Sequence, residues 1–568
     1  MFGFILLLGC PLPNFGGYTP DDSAGDADGD GFTATSGDCD DADASVNPAA
    51  AEDCATAWDD DCDGETNELD AANCSPCYQD RDGDLYGADS VGCLCETDGS
   101  CSMTPGDCDD LNAGVHPGAS EICEDGWDND CDGGSGPCEP TWQSLTTMVV
   151  YTGQSFEREA GACVAGAGDV NGDGFDELVV GAPGRDGGAY LVLGSATPAS
   201  GDLASEIRFT GAVGGEEAGV SVAGAGDVNA DGFDDVIVGA SDGSGGVNDS
   251  GAAYLVLGGP TPSSLDLGTT LVFEGGLAEC AGVAVAGAGD VNADGFDDLI
   301  IGSSCKAVGS ERPGAAYLVL GSSAPASMGL SSAVEYRGIA DDGVGRSVAG
   351  GDVNGDGYAD VIAGAPGNNL AGEIGGAAYL ILGSPVPVSD TVANAVVYVG
   401  ASDCDLTGSA TAGAGDVDGD GYDDFLVGAY YAGTDYVGAA YLVMGGSSPV
   451  GASLSTAVTY AGEDSWQYAG YSVSGAGDVD GDGHDDMLVG APFNNDGGVG
   501  YLILGSTSPT SDNLGNMFRY TGDDATHYAA RALAGAGDPN GDGYPDLVVG
   551  APASSGAGVA YLVLGTGP

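Results

Sequence analysis

The chain has 568 residues, with 89 acidic and 10 basic side chains and a formal net charge of −79. That length exceeds one ordinary domain. So acidic a surface excludes nucleic acid and anionic membranes as partners, because both demand a cationic face. Cations are the natural partners, with a merely solubilising acidic surface as the plainer alternative.

Residues 1–20 come first and open with the apolar run MFGFILLLGC, which points to export. Its Leu-Leu-Gly-Cys ending is similar to a bacterial lipoprotein signal with Cys10 as the lipidated residue. An extracellular or cell-surface location follows, with an outer-membrane lipoprotein as one form of it. The run is short and no basic residue precedes it, so a late start or a chance match are the alternatives. No later apolar stretch reaches the roughly 18 residues of a transmembrane helix.

Residues 21–140 are rich in Asp and Cys and poor in aliphatics. Leaving Cys10 aside, sixteen of the 17 cysteines remain, and twelve lie between Cys39 and Cys138. An even number suits disulfides in an oxidising compartment. Zinc is the rival, but there are only 3 histidines, and the surrounding aspartates are ligands for hard cations. Residues 26–64 and 80–133 repeat one pattern, "DADGDGF…DCDD…WDDDCDG" and "DRDGDLY…DCDD…WDNDCDG". Asp26, Asp28 and Asp30 start one candidate metal site, and Asp80, Asp82 and Asp84 start its counterpart. Asp59, Asp61 and Asp63 show the same alternation, as do Asp128, Asp130 and Asp132. The pattern resembles the Cys/Asp-rich metal-binding repeats of secreted proteins from myxobacteria and related bacteria. Segments with so few aliphatics need disulfides and metal to hold them. A disordered acidic stalk is the alternative.

From Trp142 to Pro568 the chain repeats about every 60 residues. Each unit reads as a small-residue strand such as SVAGAG (221–226), an acidic loop, and a short apolar run such as DVIVGA (235–240). A Gly-rich stretch, GAAYLVLG (251–258), a linker and an aromatic strand such as TLVFEG (270–275) follow. Apolar runs of this length, rich in Val, Ile, Leu and Tyr and bounded by Gly or Pro, are strands. Four short strands per unit match a propeller blade. The last unit stops after its third strand, VAYLVLG (559–565), while an orphan fourth-type strand, MVVYTG (148–153), precedes the first unit. The expected fold is therefore all-β: a seven-bladed β-propeller over 142–568, closed by an N-terminal strand, after a small disulfide-rich, metal-binding region. Closure removes the free sheet edges that an open solenoid would expose.

The acidic loops begin at Asp169, Asp227, Asp290, Asp352, Asp416, Asp478 and Asp538. With Asp169 as position one, side-chain oxygens fall at one, three, five and nine: Asp169, Asn171, Asp173 and Glu177. Gly174 at six allows the turn, and Phe175 at seven offers its backbone carbonyl. This alternation suits Ca²⁺, which takes six to eight oxygens in flexible geometry, better than Mg²⁺ with its tight octahedron. It is not an EF-hand, whose loop closes at position twelve before a helix. The second loop has Asp227, Asn229, Asp231, Phe233 and Asp235; the third has Asp290, Asn292, Asp294, Phe296 and Asp298; the fourth has Asp352, Asn354, Asp356, Tyr358 and Asp360. The fifth has Asp416, Asp418, Asp420, Tyr422 and Asp424, and the sixth has Asp478, Asp480, Asp482, His484 and Asp486. The seventh has Asp538, Asn540, Asp542, Tyr544 and Asp546. A backbone ligand tolerates this variety at position seven, so His484 reads as a loop residue rather than a side-chain ligand.

The phrases DVNGDGFDELVVGAP, DVNGDGYADVIAGAP and DVDGDGHDDMLVGAP resemble the FG-GAP repeat family, best known from the heads of integrin alpha subunits. The resemblance covers about three quarters of the chain. It implies a seven-bladed propeller with Ca²⁺ between the first two strands of a blade. The integrin stalk and anchor have no counterpart here.

In an antiparallel blade alternate connections share a face, so the calcium loops and the linkers lie together. The opposite face carries the second-to-third and fourth-to-first loops, which vary most. Trp466, Tyr468 and Tyr528 there would contact a protein or glycan, or else pack between blades. Cys280 and Cys305 are placed to pair on that face, while Cys163 and Cys404 have no evident partners. The expected function is a secreted or cell-surface calcium-binding protein used for adhesion or ligand recognition, and not an enzyme. The alternatives are an extracellular hydrolase of glycans or phosphodiesters and a purely structural surface protein. Acid pairs repeated in every blade suit structure rather than one active site, and no nucleophile elbow appears.

Overall fold

The computed structural model describes residues 26–51, 59–63, short segments between 75 and 131, and 142–565 apart from 155–158, 185–186, 213–215, 242–249, 371–373, 495, 523–526 and 554–555. The chain divides into two compact units, Met1–Glu139 and Pro140–Pro568. Residues 1–20, with Cys10, lie outside the described residues.

Among its described residues the first unit shows covalent ties and little buried core. Disulfides join Cys39 to Cys62 and Cys108 to Cys131, each 23 residues apart. Each of the two sequence copies thus carries its own equivalent cross-link. Val46 and Val115 are its buried aliphatics among the described residues. Ser75–Gln79 pairs with Ser90–Leu94 and with Cys101–Ser102.

The second unit is a seven-bladed propeller. Blade one holds Cys163–Gly168, Glu177–Gly181, Gly188–Val192 and Ile207–Thr210, each antiparallel to the next. Blades two to six repeat the order. Blade seven takes three strands from Ala532–Gly537, Asp546–Ala551 and Val559–Val563, and Val149–Thr152 pairs antiparallel with the last of these. The second and third strands are buried along their whole length in every blade, save Ile381 at the end of one strand. That is why they read as continuous apolar runs rather than alternating ones.

The AGAG first strands line the axis, where neighbouring backbones nearly touch. A Cβ on Gly413 would sit 2.7 Å from the Gly350 carbonyl oxygen, and one on Gly166 would sit 3.0 Å from that of Gly535. Only glycine fits there, and the second contact joins blade one to blade seven.

Each propeller sheet has a fifth strand that the sequence reading does not contain. The linker between third and fourth strands gives two residues to the outer edge of the preceding blade, in parallel. Leu265–Asp266, for example, pairs with Phe209–Thr210. A 3₁₀ turn follows, and its first residue is a buried anchor: Leu203, Leu267, Leu330, Val392, Leu454 and Leu514. At blade six the extra strand is Trp142–Ser144, followed by buried Leu145. Residues 142–152 therefore engage blade six and blade seven in succession.

Candidate metal centres and the opposite face

In blade one the Asp169 carboxylate organises its own loop. Its Oδ1 accepts the N–H groups of Gly172 and Asp173 at 2.6 and 3.0 Å, and its Oδ2 accepts that of Gly174 at 2.9 Å. Asp173 in turn accepts Phe175 N–H at 3.1 Å. Gly174 has φ +89°, a left-handed conformation that glycine adopts without strain. The first carboxylate of each other loop accepts the position-six N–H in the same way.

The position-nine carboxylates sit at the base of these loops, at the start of a buried strand. Glu177, Asp235, Asp298, Asp360, Asp424, Asp486 and Asp546 are at most 1 % exposed. Burial pushes the carboxyls of six of them up to about 7, and that of Asp486 to about 6. Backbone donors meet part of the need: Asp235 accepts Val228 N–H at 3.1 Å and Gly258 N–H at 2.8 Å. Yet buried oxygens remain without a donor in four loops, namely Asn229 Oδ1, Asn292 Oδ1, Asp360 Oδ2 and Asp546 Oδ2. Such atoms are costly unless something positive meets them. In blades one, five and six carboxylates converge within 4.8 Å, as Asp169, Asp173 and Glu177; Asp416, Asp418 and Asp420; and Asp478, Asp480 and Asp486. The donor set is all oxygen and fits a hard cation.

Position seven plays a different part from position nine. The side chains of Phe233, Tyr422, His484 and Phe175 cover the position-four glycines of the preceding loops, Gly172, Gly355, Gly419 and Gly541. His484 thus turns its ring to the neighbouring blade. Position eight ties the loops together. The Asp234 carboxylate accepts Asp169 N–H at 2.9 Å, while Asp234 N–H reaches the Asp169 carbonyl at 3.2 Å. Sequence reading gave position eight no role, although its acid recurs in five of the seven loops; its partner lies a whole blade away.

The N-terminal unit repeats the loop pattern. Asp26 accepts Gly29 N–H at 2.6 Å and Gly31 N–H at 2.9 Å, and Asp30 accepts Phe32 N–H at 2.7 Å. Asp26, Asp28 and Asp30 converge within 4.8 Å, as do Asp59, Asp61 and Asp63. Asp80, Asp82, Asp84, Asp128, Asp130 and Asp132 lie outside the described residues.

On the opposite face Cys280 and Cys305 form a disulfide across the loops of blade three. Cys163 is an unpaired thiol hydrogen-bonded to Val222 N–H and carbonyl. Across blades five to seven the aromatics form one continuous patch. Tyr436 lies 4.9 Å from Trp466, Tyr468 lies 5.3 Å from Phe493, and Phe493 lies 5.2 Å from Tyr528. The rings pack together between blades, yet Trp466 stays 54 % exposed and Phe493 42 %. Tyr436, Trp466, Tyr468 and Tyr528 all have positive φ, a strained conformation for bulky residues that surrounding structure must enforce.

The molecule is thus a closed seven-bladed propeller with an acidic hairpin loop in every blade and a cross-linked acidic unit before it. The FG-GAP repeat model matches residues 164–193, 218–256, 344–381, 407–443, 469–503 and 529–563, and the Cu-binding_MopE metal-binding motif matches 38–68 and 107–135. Six of the seven blades thus match the FG-GAP repeat model, and two stretches of the first unit match the MopE-type motif. Blade three falls outside the matched segments but has the same strands. Among relatives, integrin alpha pat-2 of Caenorhabditis briggsae is 32 % identical over 238 residues, covering 38 % of this chain and 18 % of its own. Integrin alpha-PS2 of Drosophila melanogaster is 32 % identical over 235 residues, 39 % of this chain and 16 % of its own. Phosphatidylinositol-glycan-specific phospholipase D of Bos taurus is 33 % identical over 192 residues, 32 % of this chain and 22 % of its own. The chain therefore spans less than a quarter of the length of these relatives. No helix among the described residues is long and apolar enough to cross a membrane.

Proposed function

We propose that this is a calcium-stiffened recognition propeller working outside the cell or on its surface, with Cys10 as its lipid anchor. Ca²⁺ would be held in each blade by the side chains at positions one, three, five and nine and by the carbonyl at seven. The buried position-nine carboxylates, repeated seven times, carry this reading, because a dication offsets the cost of keeping acids in the core. The ligand, a protein or glycan, would dock on the aromatic patch around Trp466. Exposed aromatics held rigidly offer contact area at little entropic cost.

A screen of glycans and surface proteins tests this reading, run with calcium and with chelator, on the unaltered chain and on Trp466→Ala. The expected result is a ligand lost with either change; binding that ignores Trp466 sinks the docking site. Chelation should also lower the melting temperature by roughly 10 °C or more, since several sites each contribute a few kcal/mol at saturation. An unchanged melting curve in excess chelator removes calcium from the loops. The phospholipase D likeness gives the hydrolase reading its support. Hydrolysis of a phosphodiester or glycan by the pure chain, abolished by one point substitution in a variable loop, would favour it.

A further inference from the structure

The Asp26 loop lacks the residue that closes every loop of the propeller. Counted from Asp26, position seven is Phe32 and position nine is Ala34, which has no oxygen in its side chain. The chain then makes a 3₁₀ turn, Ala34–Ser36, capped by Thr33, and Asp38 N–H returns to the Thr33 carbonyl at 3.3 Å. This brings back an acid. Asp38 is 4 % exposed; its Oδ1 accepts Asp40 N–H at 2.9 Å, and its Oδ2 is buried with no partner. Asp28 Oδ2 and Asp30 Oδ2 are likewise buried and unpartnered. The charge of Asp38 acts on Asp28, and that of Asp30 acts on Asp38. Ala27 N–H also reaches Asp41 Oδ1 at 3.4 Å, holding the two stretches together.

We propose that Asp38 closes a cation site with Asp26, Asp28, Asp30 and the Phe32 carbonyl, selective for calcium over copper. Three carboxylates within 4.8 Å of one another, with a fourth, buried one close enough for its charge to act on them, leave three buried oxygens without a donor, and these require a positive partner. The set is wholly oxygen, which suits Ca²⁺; copper favours imidazole and sulfur. Residues 26–63 contain no histidine, and the two described cysteines of that stretch, Cys39 and Cys62, are committed to each other, while Cys54 lies outside the described residues. The site is also wired to that disulfide. Asp38 precedes Cys39, while the Asp59, Asp61 and Asp63 cluster surrounds Cys62. Calcium bound at Asp38 holds the Cys39 end of the cross-link in place.

The test is native mass spectrometry of the full, disulfide-bonded chain titrated with calcium chloride and, separately, with copper chloride. Asp38→Asn and Asp28→Asn should each weaken binding of one calcium ion at least tenfold and leave the others. Asp235→Asn, in the propeller, should cost a different ion, so failure of the propeller reading shows separately. An unchanged calcium count in either N-terminal variant overturns the proposal, as does copper binding that these variants abolish. A second measurement needs no variant: calcium should slow reduction of Cys39–Cys62 by dithiothreitol at least tenfold, and magnesium at equal concentration should not. Reduction at the same rate with and without calcium overturns it too.

Discussion

The junction between blades one and two and the junction between blades six and seven are built from the same repeat but latched differently. At the first, Asp234 gives its N–H to the Asp169 carbonyl and its carboxylate takes the Asp169 N–H. The same reciprocal pair joins blades two and three, four and five, five and six, and seven and one. Between three and four, Ala359 keeps the backbone half alone. Between six and seven the position is Pro545, which has neither an N–H nor a carboxylate. Both halves of the latch are absent by chemistry. That junction is left with what every junction has, an edge strand, a buried anchor and an apolar cluster, here supplied by residues 142–152 from the N-terminal side, with Leu145 in one cluster with Leu488, Leu547 and Tyr561. The difference teaches that the ring is a chain of latched hairpins with one seam, and that the seam is stitched from the N-terminal side.

The harshest way to break the comparison is to remove the stitch. Deleting residues 142–153 takes away the pairing with Val559–Val563, the edge strand on blade six and the Leu145 anchor. Losing several buried side chains at about 2 kcal/mol each should remove most of a normal margin of stability. Thermal unfolding should lose its single sharp transition, and hydrogen exchange should rise first in blades six and seven. Full retention of the melting temperature would show that the seam needs no stitch.

A finer test exchanges the two junctions. Asp234→Ala should give the one–two junction the defect of Ala359, at a cost of about 2 kcal/mol for a lost hydrogen bond to a charged group. Pro545→Asp should install a latch at the seam and stabilise by about 1 kcal/mol, the two new bonds being partly offset by lost rigidity. Chemical denaturation measures both. A Pro545→Asp protein no more stable than the parent would mean that the latch contributes nothing where the stitch already holds.

The sequence shows the blades but not these ties, for a physical reason. Seven copies of a buried strand and an alternating acid loop are local patterns, visible in any window of fifteen residues, and the fold class follows from them. The two-residue edge strands have no periodicity to read, and Asp266 and Ser453 look like linker residues until a neighbouring blade is placed beside them. Asp234 looks like one more acid in an acidic loop, because the N–H it accepts is 65 residues away. Asp38 was hidden for the opposite reason: it lies only a few residues beyond its loop, but a turn that no hydrophobic pattern marks brings it back. The aromatic patch was half legible. Trp466 and Tyr468 stand out in the chain, but their contact with Tyr436 and Phe493 exists only in the assembled ring.

An effect of similar small size is expected on the opposite face, at the three–four junction, where the acidic-loop latch is already halved. There Tyr379, on the third strand of blade four, gives its hydroxyl hydrogen to Asp342 Oδ2 at 3.1 Å and receives Asn368 Nδ2–H at 2.8 Å. Burial, with Asp342 beside it, pushes the Tyr379 phenol above its usual range, so it stays protonated and donates at any working pH. Tyr379→Phe removes that donor but leaves Asp342 the Ile339 N–H at 3.0 Å and the Asn368 amide. The loss should therefore be about 1 kcal/mol, near the lower end for a buried hydrogen bond. Because Asp342 and Pro545 share no partner, the effect should add to that of Pro545→Asp within about 0.5 kcal/mol. A larger departure from additivity, measured in the double variant, would show that the two faces communicate around the ring rather than each junction standing by itself.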